Sequence, residues 1–318
     1  MEALVNKIIP FSSVDGPGNR TAIFLQGCNF DCKYCHNPET IHLCGHCGTC
    51  VSVCPTGALQ KQGGRVTYDI TKCCLCDACL KVCPNGSSPR TRSMTPEQVM
   101  GEVKKNIPFI RGITVSGGEC TRWRDFLAEL FALAKEEGLH TLIDSNGSYD
   151  LSADPELMAA TDGVMLDVKA WDLTVHQDLC GAENSEVKAN LDFLARCGKL
   201  TEVRTVVVPG LGDPEETVRR VAQCIAPWQS RDVTRYKIIR YRPFGVRERY
   251  KSIVPPTDEQ LDGLAALARS FGLTDVVVTC THLRLLFENI RKTNREGAFW
   301  RNNVMWTYPP PSLKCGIL

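Results

Sequence analysis

The chain reads as an α/β protein: βα units building a parallel sheet, interrupted near the start by a small cysteine-rich segment. Three observations predict this. From residue 93 onward, short apolar runs alternate with stretches of helical period. Between residues 44 and 84, two cysteine runs repeat one spacing. A three-cysteine loop, Cys28-Asn-Phe-Asp-Cys32-Lys-Tyr-Cys35, follows the first apolar run. A length of 318 residues and a hydrophobic content of 43% suffice for one large domain plus an insert.

Residues 20–27, Arg-Thr-Ala-Ile-Phe-Leu-Gln-Gly, form a short apolar run with turn residues before it, which predicts a buried strand. The three-cysteine loop leaves its C-terminal end, the face at which α/β barrels carry their active sites. A four-iron cluster has four corners, normally held by cysteine thiolates. Three thiolates at C-x3-C-x2-C spacing leave one iron without a ligand from this loop, open to a small molecule. Structural zinc takes four ligands, and His36, adjacent to Cys35, is too near for the usual paired spacing. Disulfides do not suit a long chain in which no secretory signal is read.

Residues 39–92 change character. Cys44, Cys47, Cys50 and Cys54-Pro55 are followed by Cys73, Cys76, Cys79 and Cys83-Pro84. Each is the C-x2-C-x2-C-x3-C-P run of two-cluster ferredoxins, in which the fourth cysteine ligates the other cluster. One cluster is therefore expected on Cys44, Cys47, Cys50 and Cys83, and a second on Cys73, Cys76, Cys79 and Cys54. Cys74 is read as a free thiol beside the cluster, with substitution for Cys73 as the alternative. Cys120, Cys180, Cys197, Cys224 and Cys280 are read as buried small apolar residues.

Thr95-Pro96-Glu97 predicts a helix start, with Thr95 as N-cap and Pro96 in the first turn. Strands are expected at 113–118, 140–144, 163–169, 201–208, 236–241 and 275–279. Helices are expected at 122–137, 184–197, 214–225 and 257–271. Lys plus Arg number 37 and Asp plus Glu 36, a formal net charge of +1 that gives no argument for nucleic acid or a membrane surface. No apolar stretch is long enough to cross a bilayer, and the expected location is the cytoplasm.

The run Asp15-Gly-Pro-Gly-Asn-Arg20, then Phe24-Leu-Gln-Gly-Cys28, Cys32 and Cys35-His-Asn-Pro38, resembles the N-terminal segment of glycyl-radical enzyme activating enzymes. These are radical S-adenosylmethionine (SAM) enzymes similar to pyruvate formate-lyase activating enzyme. The resemblance implies a partial (β/α)6-type TIM barrel over 1–38 and 93–280, a two-cluster ferredoxin-like domain inserted at 39–92, and a C-terminal segment, 281–318, without an assigned role. It also implies three [4Fe-4S] clusters. The open iron chelates the amino and carboxylate groups of SAM. Reductive cleavage yields methionine and a 5′-deoxyadenosyl radical, which takes a hydrogen from a backbone glycine of a partner enzyme.

By the same resemblance Cys28, Cys32, Cys35 and Lys169 are the catalytic residues, and Tyr34 lies against the adenine. Ser116-Gly117-Gly118-Glu119 matches the glycine-glycine-glutamate motif, whose exposed backbone takes the methionine ammonium. Asp144, Ser145, Asp167 and Lys169 fall around the ribose and carboxylate, since a diol wants carboxylate acceptors and a carboxylate wants a lysine. Arg204 is expected to face the cavity. In some relatives a monovalent cation is also held, here by Asp144, Ser145, Asp167 and Met165. Relatives carry a histidine where this chain has Arg242, so that role is not carried over. The implied partners are a glycyl-radical enzyme and a flavodoxin- or ferredoxin-type electron donor. The ferredoxin insert resembles the YjjW-type group.

The basic run 231–251 reads as a solvated face or as a dock for an acidic partner. Two rival readings are another radical SAM enzyme with auxiliary clusters, and a multi-cluster electron-transfer protein. The second leaves Gly117, Gly118, Asp167 and Lys169 without a role.

Overall fold

The computed structural model describes residues 1–279. The readings at Cys280 and in the segment 281–318 lie outside the described residues. The order of elements is β1 (Ala3–Ser12), β2 (Arg20–Leu25), β3 (Leu59–Gln62), β4 (Arg65–Tyr68), α1 (Ala78–Lys81), β5 (Arg92–Met94), α2 (Pro96–Lys104), β6 (Gly112–Gly117), α3 (Arg124–Glu136) and β7 (His140–Ser145). There follow α4 (Pro155–Ala160), β8 (Gly163–Asp167), α5 (Leu173–Cys180), α6 (Ser185–Cys197), β9 (Leu200–Val207), α7 (Pro214–Ile225), β10 (Arg235–Arg240), α8 (Asp258–Ser270) and β11 (Val276–Thr279).

One sheet runs β11-β10-β9-β8-β7-β6-β2-β1-β5. From β2 through β6 to β11 every pairing is parallel. The parallel strands are continuous apolar runs because helices cover one face and the interior fills the other. Val164, Met165 and Leu166 in β8 are each fully buried. The helices present one apolar stripe: α3 buries Phe126, Leu127, Leu130, Phe131 and Ala134, and α7 buries Val218, Val221, Ala222 and Ile225.

Thr95 caps α2 as expected, in a capping box with Gln98, and Thr257 and Gln260 repeat the device at α8. β1 was not anticipated. It pairs antiparallel with β2 on one side and β5 on the other, extending the sheet past the first parallel strand. Its burial alternates only at Ala3 and Val5, too short a signal for the period to be read.

The loop from Val14 to Asn19 is pinned by Arg20, whose side chain is almost fully buried. Its guanidinium donates to Thr114 Oγ1 (2.8 Å), Ile113 O (2.6 Å) and His140 O (2.8 Å), tying the start of β2 to β6 and β7. A buried cation needs such partners, so Arg20 holds these strand starts in register.

Residues 39–92 carry the β3–β4 hairpin, α1 and a small core of Cys50, Leu59, Val66 and Cys79. The rest of the segment is loop. Three of its non-glycine residues adopt positive φ: His46 at 53°, Leu75 at 56° and Asp77 at 59°.

Candidate active site

The three-cysteine loop is held from both sides. At its root, Gly27 N–H donates to Thr40 O and Cys28 N–H to Ile41 O, both at 2.8 Å. Further along, Asp31 N–H donates to Cys180 O and Lys33 N–H to Leu179 O, both at 2.9 Å. Those carbonyls are the last of α5, which its own turns leave unsatisfied. Cys32 is thereby buried, while Cys28 and Cys35 are half-buried. Phe30 N–H lies 3.4 Å from Cys28 Sγ. Burial pushes the Cys28 thiol up to about 12 and the Cys35 thiol up to about 11, so thiolates there need a cation beside them. Iron supplies it. Among the described residues, no three His, Cys, Asp or Glu side chains converge tightly enough to enclose a single metal ion. A four-iron cluster instead takes each thiolate on a separate iron.

A cleft of about 300 Å³ opens beside the loop. The loop contributes Cys28, Cys32, Tyr34 and Cys35 to its wall. The ends of β6 and β7 add Ser116, Gly117, Gly118, Asp144, Ser145 and Asn146. Asp167, Lys169 and Arg204 come from β8 and β9, and Arg242 from beyond β10. These are the C-terminal ends of parallel strands, where successive βα units deliver polar side chains to one face. Every residue expected around the ligand lines this cleft except Glu119.

Glu119 is 1% exposed and lies behind the wall. Its carboxylate accepts from Thr121 N–H (3.1 Å), Thr121 Oγ1 (2.7 Å), Ser145 Oγ (2.9 Å) and Asn146 N–H (2.7 Å). It therefore fastens the end of β6 to the end of β7. The glycine pair has a packing reason as well. A Cβ on Gly118 would sit 2.3 Å from the Gly27 carbonyl oxygen, at the root of the cluster loop. Gly118 N–H donates to Leu25 O (2.9 Å), and Glu119 N–H to Gly27 O (2.8 Å).

Four charges in the cleft fall into two pairs. Lys169 Nζ lies 2.9 Å from Asp167 Oδ2 and 5.9 Å from the centre of the Tyr34 ring. Burial works against the Lys169 ammonium, yet Asp167 keeps its pKa well above the ordinary lysine value. The Tyr34 hydroxyl is buried without a hydrogen-bond partner among the described residues. Arg204 Nη1 reaches both Asp144 oxygens, at 3.0 and 2.9 Å, and its Nε binds Glu202. Ser116 Oγ donates to Asp144 Oδ2 at 3.0 Å. Burial pushes the Asp144 carboxyl up to about 6 in spite of Arg204. Arg204 Nη2 also lies 3.0 Å from Met165 Sδ. It thus brings a fixed positive charge onto two of the four residues that the resemblance assigned to a monovalent cation.

Sequence reasoning missed two contributors. Asn146 Nδ2 lies 3.7 Å from Cys28 Sγ and 3.2 Å from Asn29 Oδ1, linking β7 to the cluster loop. Its position directly after Asp144-Ser145 was the available signal. Arg247 is the other. Its Nη1 donates to Asp31 Oδ1 (2.6 Å), and its Nη2 to Asp31 O (3.1 Å) and Cys32 O (2.7 Å). Arg247→Ala should remove roughly 1.5–3 kcal/mol of charge-assisted bonding from this loop. The expected outcome is several-fold faster loss of iron to a chelator, with unchanged helix content by circular dichroism.

Much of the basic run is paired within the chain. Arg235 pairs with Asp275 (3.1 Å), Lys237 with Glu202 (3.7 Å) and Lys251 with Glu248 (2.6 Å). Arg231 pairs with Asp232, and Arg240 with Asp258. Acids of the same chain thus meet most of this charge, leaving Arg242 and Arg249 without an ion pair among the described residues. Cys197, expected to be buried, is exposed, whereas Cys120 and Cys180 are buried as expected.

A cleft at the carboxyl ends of parallel strands, rimmed by three thiols and floored by paired carboxylates and cations, is the site of an α/β enzyme with the donor types that suit a metal cluster and a polar organic ligand. The chain matches the model of the Radical SAM superfamily over residues 22–223. It is 31% identical over 275 residues to the pyruvate formate-lyase-activating enzyme of Streptococcus mutans, covering 81% of this chain and 88% of that one. It is 30% identical over 296 residues to a putative glycyl-radical enzyme activating enzyme of Haemophilus influenzae, covering 86% and 95%. A crystal structure of Streptococcus suis SuiB bound to S-adenosylmethionine aligns with 83% of this chain and 51% of that one, at a TM-score of 0.53 and 12% identity, a likeness of fold. The chain belongs to the radical SAM superfamily and, within it, to the glycyl-radical enzyme activating enzymes. No helix among the described residues is long and apolar enough to cross a membrane.

Proposed function

We propose that Cys28, Cys32 and Cys35 hold the [4Fe-4S] cluster that binds SAM, and that the cleft beside them seats the rest of that molecule. The carrying observation is that one cleft gathers the three thiols with Tyr34, Gly117, Gly118, Asp144, Ser145, Asp167, Lys169 and Arg204. When bound, the cluster and SAM supply a 5′-deoxyadenosyl radical for hydrogen abstraction from a partner's backbone glycine. The chain's own part is to orient and to exclude water. The Lys169 ammonium stands ready for a carboxylate, and Asp167 for a hydroxyl pair, once their mutual ion pair opens. Arg204 already balances Asp144, so no separate cation is needed there.

The reading extends to residues 39–92 as a two-cluster ferredoxin-like insert, with a partial barrel at 1–38 and 93–280. Two observations support it. A second, small cavity is lined by Cys54, Cys73, Cys74, Cys76 and Cys79, which include the four cysteines that the crossed pattern assigns to one cluster. The two runs also share one backbone form. His46 and Leu75, each two residues after the first cysteine of its run, have φ of 53° and 56°. Their N–H groups lie 3.4 and 3.5 Å from Cys44 Sγ and Cys73 Sγ. The insert passes electrons from a flavodoxin- or ferredoxin-type donor toward the barrel.

The test uses anaerobically reconstituted chain, reduced with dithionite and given SAM. The expected result is about twelve irons per chain for three four-iron clusters, release of 5′-deoxyadenosine, and a glycyl-radical signal on a candidate partner. Lys169→Ala should weaken SAM binding by about tenfold to a hundredfold, as for loss of one charged bond, with iron unchanged. Three intact clusters without SAM cleavage would instead favour an electron carrier.

A further inference from the structure

Arg90 lies beyond both cysteine runs, seven residues after Cys83, and no motif claims it. In the fold its side chain enters the cavity lined by Cys54, Cys73, Cys76 and Cys79. It is only 16% exposed, and its Nη2 binds Asp77 at 2.8 Å. The Leu75 N–H beside Cys73 Sγ has a counterpart in the His46 N–H beside Cys44 Sγ, so what sets this half apart is the guanidinium enclosed in its cavity.

Beside the repeat-related Cys47 stands Lys61, which is exposed. Its Nζ binds the Cys47 backbone carbonyl at 3.0 Å. Water screens an exposed ammonium far more than a guanidinium enclosed among thiols. Asp77 opposes Arg90, but its side chain is 55% exposed, so the aspartate is the better screened of the pair.

Resting on the reading of residues 39–92 as a two-cluster insert, we propose that Arg90 makes those clusters unequal by raising the reduction potential of the one held by Cys54, Cys73, Cys76 and Cys79. A one-electron reduction adds negative charge to the cluster, and an enclosed cation beside a ligand sulfur stabilises that added charge. The first electron taken from a low-potential one-electron carrier therefore rests in this half, with no bond made or broken and no proton moved. The other half lies nearer the active site along the chain: Leu43, next to Cys44, packs against Gly27, next to Cys28. Arg90 thus acts as a positioning residue for charge.

The experiment is an EPR-monitored redox titration of the full-length, iron-loaded chain, with Arg90→Gln and Arg90→Lys beside it. Arg90→Gln should move one couple to more negative potential by about a tenfold loss in its reduction constant, ~59 mV for a one-electron couple. The other couples should stay where they are, and Arg90→Lys should recover most of the shift. Three unchanged couples, or an equal shift of all three, would overturn the inference. So would loss of about four irons in Arg90→Gln, since the residue would then hold the cluster together rather than tune it. Only about four irons in the wild type would refute the insert reading itself and this inference with it.

Discussion

Cys32→Ala is expected to reduce 5′-deoxyadenosine release to background while iron falls from about twelve to about eight per chain. The thiol is buried, but the backbone on both sides of it is fastened independently, by Asp31 N–H on Cys180 O and Lys33 N–H on Leu179 O. Arg247 holds the Cys32 carbonyl as well. Removing the sulfur therefore takes away a ligand without releasing the loop, and the loss of activity reports on the cluster alone. The measurement is a parallel iron assay and product quantification under dithionite. Retained SAM cleavage in this variant would refute the assignment of the loop.

Glu119→Ala should cost about 3–5 kcal/mol of stability, a large share of an ordinary folding free energy. Four donors converge on this carboxylate, and all lie where water scarcely reaches. Each orphaned donor costs about 1–3 kcal/mol, with partial relief where a side chain turns away. Glu119→Gln keeps one acceptor oxygen but points an amide N–H at the remaining donors, so an intermediate loss is expected. The check is the urea midpoint together with SAM affinity. A residue that touched the ligand would lower affinity at an unchanged midpoint. Glu119, lying behind the wall, should lower the midpoint first.

Much of the site was legible before any fold was available, and the reason is chemical. Cys28, Cys32 and Cys35, the proposed ligands, stand out because a short loop is the cheapest way to aim three thiolates at one cluster. The doubled C-x2-C-x2-C-x3-C-P spacing is legible for the same reason. Asp144, Asp167, Lys169 and Arg204 were legible because strand ends deliver residues to one face, so position in a βα unit already places a side chain.

What stayed hidden depends on contacts between residues far apart in the chain. Glu119 belongs to a motif that resemblance ties to the ligand, yet its neighbours from β7 turn it inward. The charges of 231–251 looked available because nothing local shows that Asp31, Glu202, Asp258 and Asp275 come to meet them. β1 was missed because it borrows its partners from strands on either side. Sequence alone determined the cysteine spacings and the alternation that builds the sheet, all encoded within a few residues. Only the tertiary structure decided which charged groups face the cleft free to act and which are already paired, since burial and pairing arise when distant segments pack.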